Sequence, residues 1–188
     1  MRFPVWLAAI FLGACTFSSD APFFSVSDSA FPIADGARFD WVDPSPNGER
    51  FDVTFHRTEA GYAMAEADHP DEPMELLFVA IQETPEEDYL AQVRLEQGQA
   101  YAFMWRAGEV FRIISDPGSV EPGRKPLRGA GALCRWGSYQ ECALASADDL
   151  RALYRTAIYP RFVTGDDLPG SYTLLSPHEL RLAPSTRK

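Results

Sequence analysis

The sequence predicts an α+β fold, mainly β: antiparallel hairpins in a meander, as a sandwich or partly closed barrel, with one C-terminal amphipathic helix. Three observations predict it. The 188 residues include 15 Pro and 13 Gly, too many for a helical bundle and suited to strands joined by turns. Thirteen Phe and seven Tyr favour pleated, half-buried surfaces. Apolar residues recur at period two through most of the chain and at period 3.6 in one place.

The elements follow in order. Arg38–Val42 is a strand candidate that runs into Pro44-Ser45-Pro46-Asn47-Gly48, a strong turn signal. In Phe51–Arg57, residues Phe51, Val53 and Phe55 face one way, and Asp52, Thr54 and His56 the other. Thr58-Glu59-Ala60-Gly61 turns the chain into Tyr62–Glu66. Asp68-His69-Pro70-Asp71-Glu72-Pro73 is expected to break the sheet. Glu75–Ile81 is apolar on both faces, as a strand covered on both sides would be. Past the polar turn at Thr84–Asp88, Tyr89, Ala91, Val93 and Leu95 alternate with their neighbours. Tyr101, Phe103 and Trp105 then form an aromatic stripe, and Glu109–Ser115 follows the turn at Ala107-Gly108. Asp116 to Gly131 reads as a long loop holding Arg124, Lys125 and Arg128, the one local positive cluster.

Ser146 opens the helix, expected near 147–159. Its hydroxyl can cap the first turn, and Asp149 stands three residues on. Leu150, Leu153, Tyr154, Ala157 and Ile158 share one face, and Pro160 is expected to stop the helix. Gly170–Leu175 is a candidate last strand, and residues 177–188 read as a frayed tail.

The N-terminus has the parts of an export signal. Met1-Arg2 carries the charge, Pro4–Leu12 is apolar, and Gly13-Ala14 are small. Nine apolar residues in a helix span about 14 Å, against about 30 Å of hydrocarbon, so this is not a membrane-spanning helix. The run Leu12-Gly13-Ala14-Cys15 resembles the lipobox of bacterial lipoproteins. The resemblance covers residues 1 to about 16. It implies cleavage before Cys15, acylation of its thiol and attachment to the bilayer. Thr16, where the family's sorting rule would read an Asp, implies the outer membrane facing the periplasm; an ordinary cleavable signal would give a secreted periplasmic protein instead. The expected organisation is therefore a signal peptide over 1–14, a lipidated Cys and flexible tether over 15–29, a single mainly-β domain over 30–176, and the tail.

Lipidation of Cys15 also resolves the odd count of three Cys. It leaves Cys134 and Cys142 as a pair, with Gly137-Ser138 between them for a tight return. An oxidising compartment would allow a disulfide, worth about 2.5 kcal/mol for so small a loop. A metal site would need two further ligands, and no His or Cys lies near in sequence.

Removing residues 1–14 takes one Arg from a net charge of −10 and leaves −11. That balance, with no basic stripe, argues against nucleic acid. No cofactor fingerprint or assembled catalytic motif is present. His56 reads as an exposed strand residue, His69 as part of a polar turn and His178 as part of the tail. Glu86-Glu87 and Asp166-Asp167 read as solvated turns. Tyr101, Phe103 and Trp105 are the candidate ligand-facing aromatics, since small barrels can enclose an apolar ligand; core packing is the alternative. The expectation is a membrane-anchored, non-catalytic binding or accessory domain, with an envelope protein or small apolar ligand as partner. The alternative is an envelope hydrolase with spatially assembled His and carboxylate residues.

Overall fold

The computed structural model describes residues 17–42, 50–81, 87–107, 110–114, 142–163 and 178–182. Among these described residues ten strands form: β1 (Phe17–Ser19), β2 (Ala37–Val42), β3 (Arg50–Thr58), β4 (Gly61–Glu66), β5 (His69–Ala80), β6 (Asp88–Arg94), β7 (Gln99–Ala107), β8 (Val110–Ile114), β9 (Cys142–Ala143) and β10 (His178–Leu182). Helix α1 (Ala147–Leu153) continues as a wider, π-type helix over Tyr154–Val163.

Eight of the strands close a ring. The order is β6-β5-β4-β3-β2-β10-β8-β7, and β7 pairs back onto β6. Every neighbour in the ring is antiparallel. The meander expected from sequence is thus a closed up-and-down barrel. Beside the ring, β1 pairs antiparallel with Gln99–Tyr101 of β7, and β9 pairs parallel with β1.

The alternation of each strand divides two apolar clusters. One draws on all eight ring strands and fills the interior. Phe39, Trp41, Val53, Phe55, Tyr62, Met64, Phe78, Val93, Met104, Phe111 and Leu180 are among its buried members. An eight-stranded ring is just wide enough for its own side chains to fill. The second cluster lies outside, on the wall made by β5 to β8. There Leu77, Val79, Leu90, Phe103, Trp105 and Ile114 are covered by Phe17, Phe24, Leu150, Leu153, Tyr154 and Ile158. Glu75–Ile81 is apolar on both faces for this reason: Leu76 and Phe78 point into the barrel, Leu77 and Val79 under the helix. On β2 and β3, Arg38, Asp52 and His56 point outward and are exposed.

Ser146 caps α1 as expected. Its hydroxyl accepts the Asp149 N–H at 3.2 Å, and Asp149 Oδ2 accepts the Ala145 N–H at 3.0 Å. Pro160 does not end the element. The winding widens at Tyr154, six residues before it, and the helix continues to Val163. Wider winding of this kind is rare in helices and is one of the recognised sources of a kink, as proline is another.

Three expectations are corrected. Residues 17–29 are part of the fold rather than a tether, because β1 pairs with β7, and Phe17 and Phe24 are buried. The stretch expected to break the sheet at 68–73 opens the 12-residue β5. Its prolines are tolerated because residues 70–73 carry no ladder partner on either side, the β4–β5 register shifting between Met64 and Glu66. Residues 178–182 are not tail: β10 lies between β2 and β8 and completes the ring. Cys15, Cys134, the loop at 116–131 and the candidate strand 170–175 lie outside the described residues.

Gly61 sets the β3–β4 hairpin. Its φ is 135°, and a Cβ there would lie 2.5 Å from the Leu76 carbonyl oxygen. Gly61→Ala is therefore expected to cost about 2 kcal/mol, read as a lower urea midpoint with unchanged slope.

Candidate functional site

The described residues concentrate their polar chemistry where the N-terminal segment and the helix cover the outer barrel wall. Gln92 and Tyr101 sit side by side there, since Gln92 pairs with Tyr101 across β6 and β7. Both side chains point outward because they share the parity of Leu90 and Phe103. Gln92 reads the backbone of Phe23 and Phe24. Its Oε1 accepts their N–H groups at 3.0 and 3.1 Å, and its Nε2 donates to the Phe24 carbonyl at 3.1 Å. The Tyr101 hydroxyl shares a 2.8 Å hydrogen bond with Ser19 Oγ and accepts the Phe23 N–H at 3.2 Å. The Phe23 ring stacks on Tyr101 at 5.2 Å and 11°.

Burial pushes the Tyr101 phenol up from 10.0, and the hydrogen bonds from Ser19 and Phe23 oppose that only in part. The folded chain thus holds this proton more tightly than the unfolded chain. The stability is fully present below pH 10 and is lost as pH rises through the raised value. Overall stability is expected to fall as pH rises through that value, read as a lower urea midpoint, and the Tyr101→Phe variant should lack this alkaline step.

One open cleft, of about 610 Å³, lies beside this junction. Val79, Ile81 and Leu90 form its apolar floor. Ser27, Asp28 and Ser29 form one rim, and Asp148, Arg151 and Arg155 the other. Asp28 belongs to a short 3-10 turn, Val26–Asp28. Its carboxylate accepts the Ser25 N–H at 2.8 Å and the Ser25 hydroxyl at 2.9 Å. These bonds hold its pKa below the ordinary 3.8, with Arg151 a minor contributor. Arg151 bonds Asp148 at 3.1 Å and lies over the Phe24 ring at 5.7 Å. Two acids and two guanidinium groups around an apolar floor suit weak contact with a polar, net-neutral group.

A buried carboxylate also ties the helix to the barrel. Asp88 opens β6, points outward and accepts a hydrogen bond from the Tyr154 hydroxyl. Tyr154 stacks on Phe103 at 5.4 Å.

Comparison with protein-family models, with curated proteins and with solved structures finds no match. The chemistry must therefore be read from the residues alone.

The aromatic stripe does not line the barrel interior. Tyr101, Phe103 and Trp105 are buried on the outer wall, and Ala100, Ala102 and Met104 face inward. Of the histidines, His56 lies 3.9 Å from Asp35, but the two side chains are 61% and 65% exposed. His69 is exposed at the start of β5, and His178 is in β10, paired with Ile113. Glu87 forms an ion pair with Arg106 at 3.0 Å. Glu86, Asp166 and Asp167 lie outside the described residues. Among the described residues, no group of three His, Cys, Asp or Glu comes together.

Sequence reasoning missed Gln92, Asp88 and Arg151. A signal for the stripe did exist: Ala100 and Ala102 alternate with Tyr101 and Phe103, and a crowded ring interior takes the small residues.

Proposed function

We propose that this chain is a lipid-anchored protein of the bacterial envelope, held through acylated Cys15, whose barrel acts without catalysis as a binding or accessory domain. The observation that carries this reading is the polarity of the barrel. Its interior is packed with apolar side chains from all eight strands, while Arg38, Asp52, His56, Glu75 and Arg94 point outward into solvent. A barrel that crosses a bilayer with its strands has the reverse pattern, an apolar band outside and a polar interior. That pattern is compatible with attachment through Cys15, at the end of Leu12-Gly13-Ala14, rather than through the strands. The packed interior moves any binding to the surface, where an envelope protein is the partner that fits best. The exposure of His56 and Asp35 favours this reading over a hydrolase, because catalytic side chains usually sit in a cleft shielded from bulk water.

The test is Cys15→Ser. The variant is expected to move from the membrane fraction to the soluble fraction and to lose labelling by fatty acid. A variant that stays with the membrane overturns the anchor. Recovery of a defined envelope protein with the intact lipidated chain, by chemical cross-linking in cells, is the result expected for a binding or accessory domain.

A further inference from the structure

The structure leaves almost no slack between the proposed anchor and the barrel. We propose that the side of the barrel bearing β1, with the N-terminal segment and helix that cover β7 there, rests on the lipid headgroup layer, held by the chains on Cys15 without an intervening tether. This rests on the reading of Cys15 as the acylated residue.

Phe17 is fixed on every side. It is fully buried, its backbone pairs with Tyr101 in β7 and with Cys142 in β9, and its ring meets Phe103 edge-on at 5.2 Å. Two residues on, the Ser19 hydroxyl is bonded to Tyr101 and to the Ala21 carbonyl. The Ser19 carbonyl oxygen lies so close to Gly98 that a Cβ there would collide with it, and Gly98 adopts a φ of 81°. The chain then stays docked through Phe23 and Phe24, whose backbones Gln92 holds. Only Thr16 stands between Cys15 and this fixed strand. Two residues reach at most about 7 Å. The headgroup region on one side of a bilayer is itself about 5–7 Å deep. Acyl chains rooted at Cys15 therefore bring β1 to headgroup level.

Charge does not supply the attraction. The mature chain carries −11, so a headgroup layer of anionic lipid would repel it. The covalent chains do the holding, and the matching surface is a largely neutral, polar headgroup layer. The same geometry sets the orientation. In a ring of eight, β3 is four strands from β7 in either direction. The wall carrying Asp52, Thr54 and His56 therefore faces away from the membrane and is the side open to partners.

The experiment uses the full lipidated chain in vesicles of phosphatidylcholine and phosphatidylethanolamine, whose headgroups carry no net charge, with a headgroup-attached quencher. A fluorescent amino acid is placed at Ser18, exposed in β1, or at His56, exposed in β3. Quenching is expected to be severalfold stronger at Ser18. Inserting about 20 Gly and Ser residues between Thr16 and Phe17, a linker with a root-mean-square span of about 25 Å, should bring Ser18 down to the level of His56. Equal quenching at the two sites, or quenching at Ser18 that the insertion leaves unchanged, overturns the proposal. Fatty-acid labelling of the same preparations separates the two readings. An unlabelled Cys15 removes the anchor itself; a labelled chain with equal quenching removes only the direct seating.

Discussion

Phe103→Ala is expected to lower stability by about 4 kcal/mol, a large part of the 5–15 kcal/mol that holds a typical domain together. Phe103 is fully buried on the outer wall. It meets Phe17 at 5.2 Å and Tyr154 at 5.4 Å, so one ring joins β1, β7 and the helix. Truncation leaves a cavity at that junction and removes two aromatic contacts, each worth about 0.5–1.5 kcal/mol beyond the area buried. Equilibrium urea unfolding should show a lower midpoint with nearly the same slope. A cost below about 1 kcal/mol would mean that the helix and β1 do not rest on this residue.

Gln92→Ala is expected to cost about 3 kcal/mol and to act locally. The Phe24 N–H and carbonyl lose the partner that Gln92 provides, while the Phe23 N–H keeps Tyr101. Buried backbone groups left in this way carry the full penalty of desolvation. Amide exchange should quicken at Phe23 and Phe24 and remain slow in β3 and β4, whose ladders are untouched. Gln92→Glu is the informative companion. A carboxylate still accepts both N–H groups, but it sets an oxygen against the Phe24 carbonyl and buries a charge there, so its cost should match or exceed that of Gln92→Ala. Equal exchange in all three proteins would show that Gln92 does not hold the segment.

The parts of the fold that were legible in the sequence are those with an internal rhythm. Phe51, Val53 and Phe55 face inward together because a strand alternates regardless of its neighbours. The helix began where Ser146 placed it, since capping is a local bond. The missed elements owe their form to distant partners. His178–Leu182 has only Leu180 and Leu182 to suggest a strand, and Leu182 is 56% exposed. It is a strand because the ring would otherwise be open between β2 and β8. β1 has three residues and a single apolar side chain, so no local pattern announces it. At the candidate site, alternation identified Tyr101, Phe103 and Trp105 as one face but could not say which. The volume of a closed ring decides that, and the volume depends on Phe39, Trp41, Phe55 and Met64 from other strands. Gln92 was illegible for a further reason: its partners are backbone groups, which carry no side-chain signature.

The seating of β1 has a consequence for the order of events in time. Ser19 bonds a residue 82 positions further along the chain. Contacts of such long sequence separation form late, because a large loop must close before they repay its entropy. In a chain that emerges N-terminus first, β1 has no β7 to pair with until Gln99–Tyr101 has followed. On the proposed reading of Cys15, the bond before it would be open to a peptidase throughout that interval. On that reading, delay in this one pairing would give processing its window, and docking of β1 would mark its end.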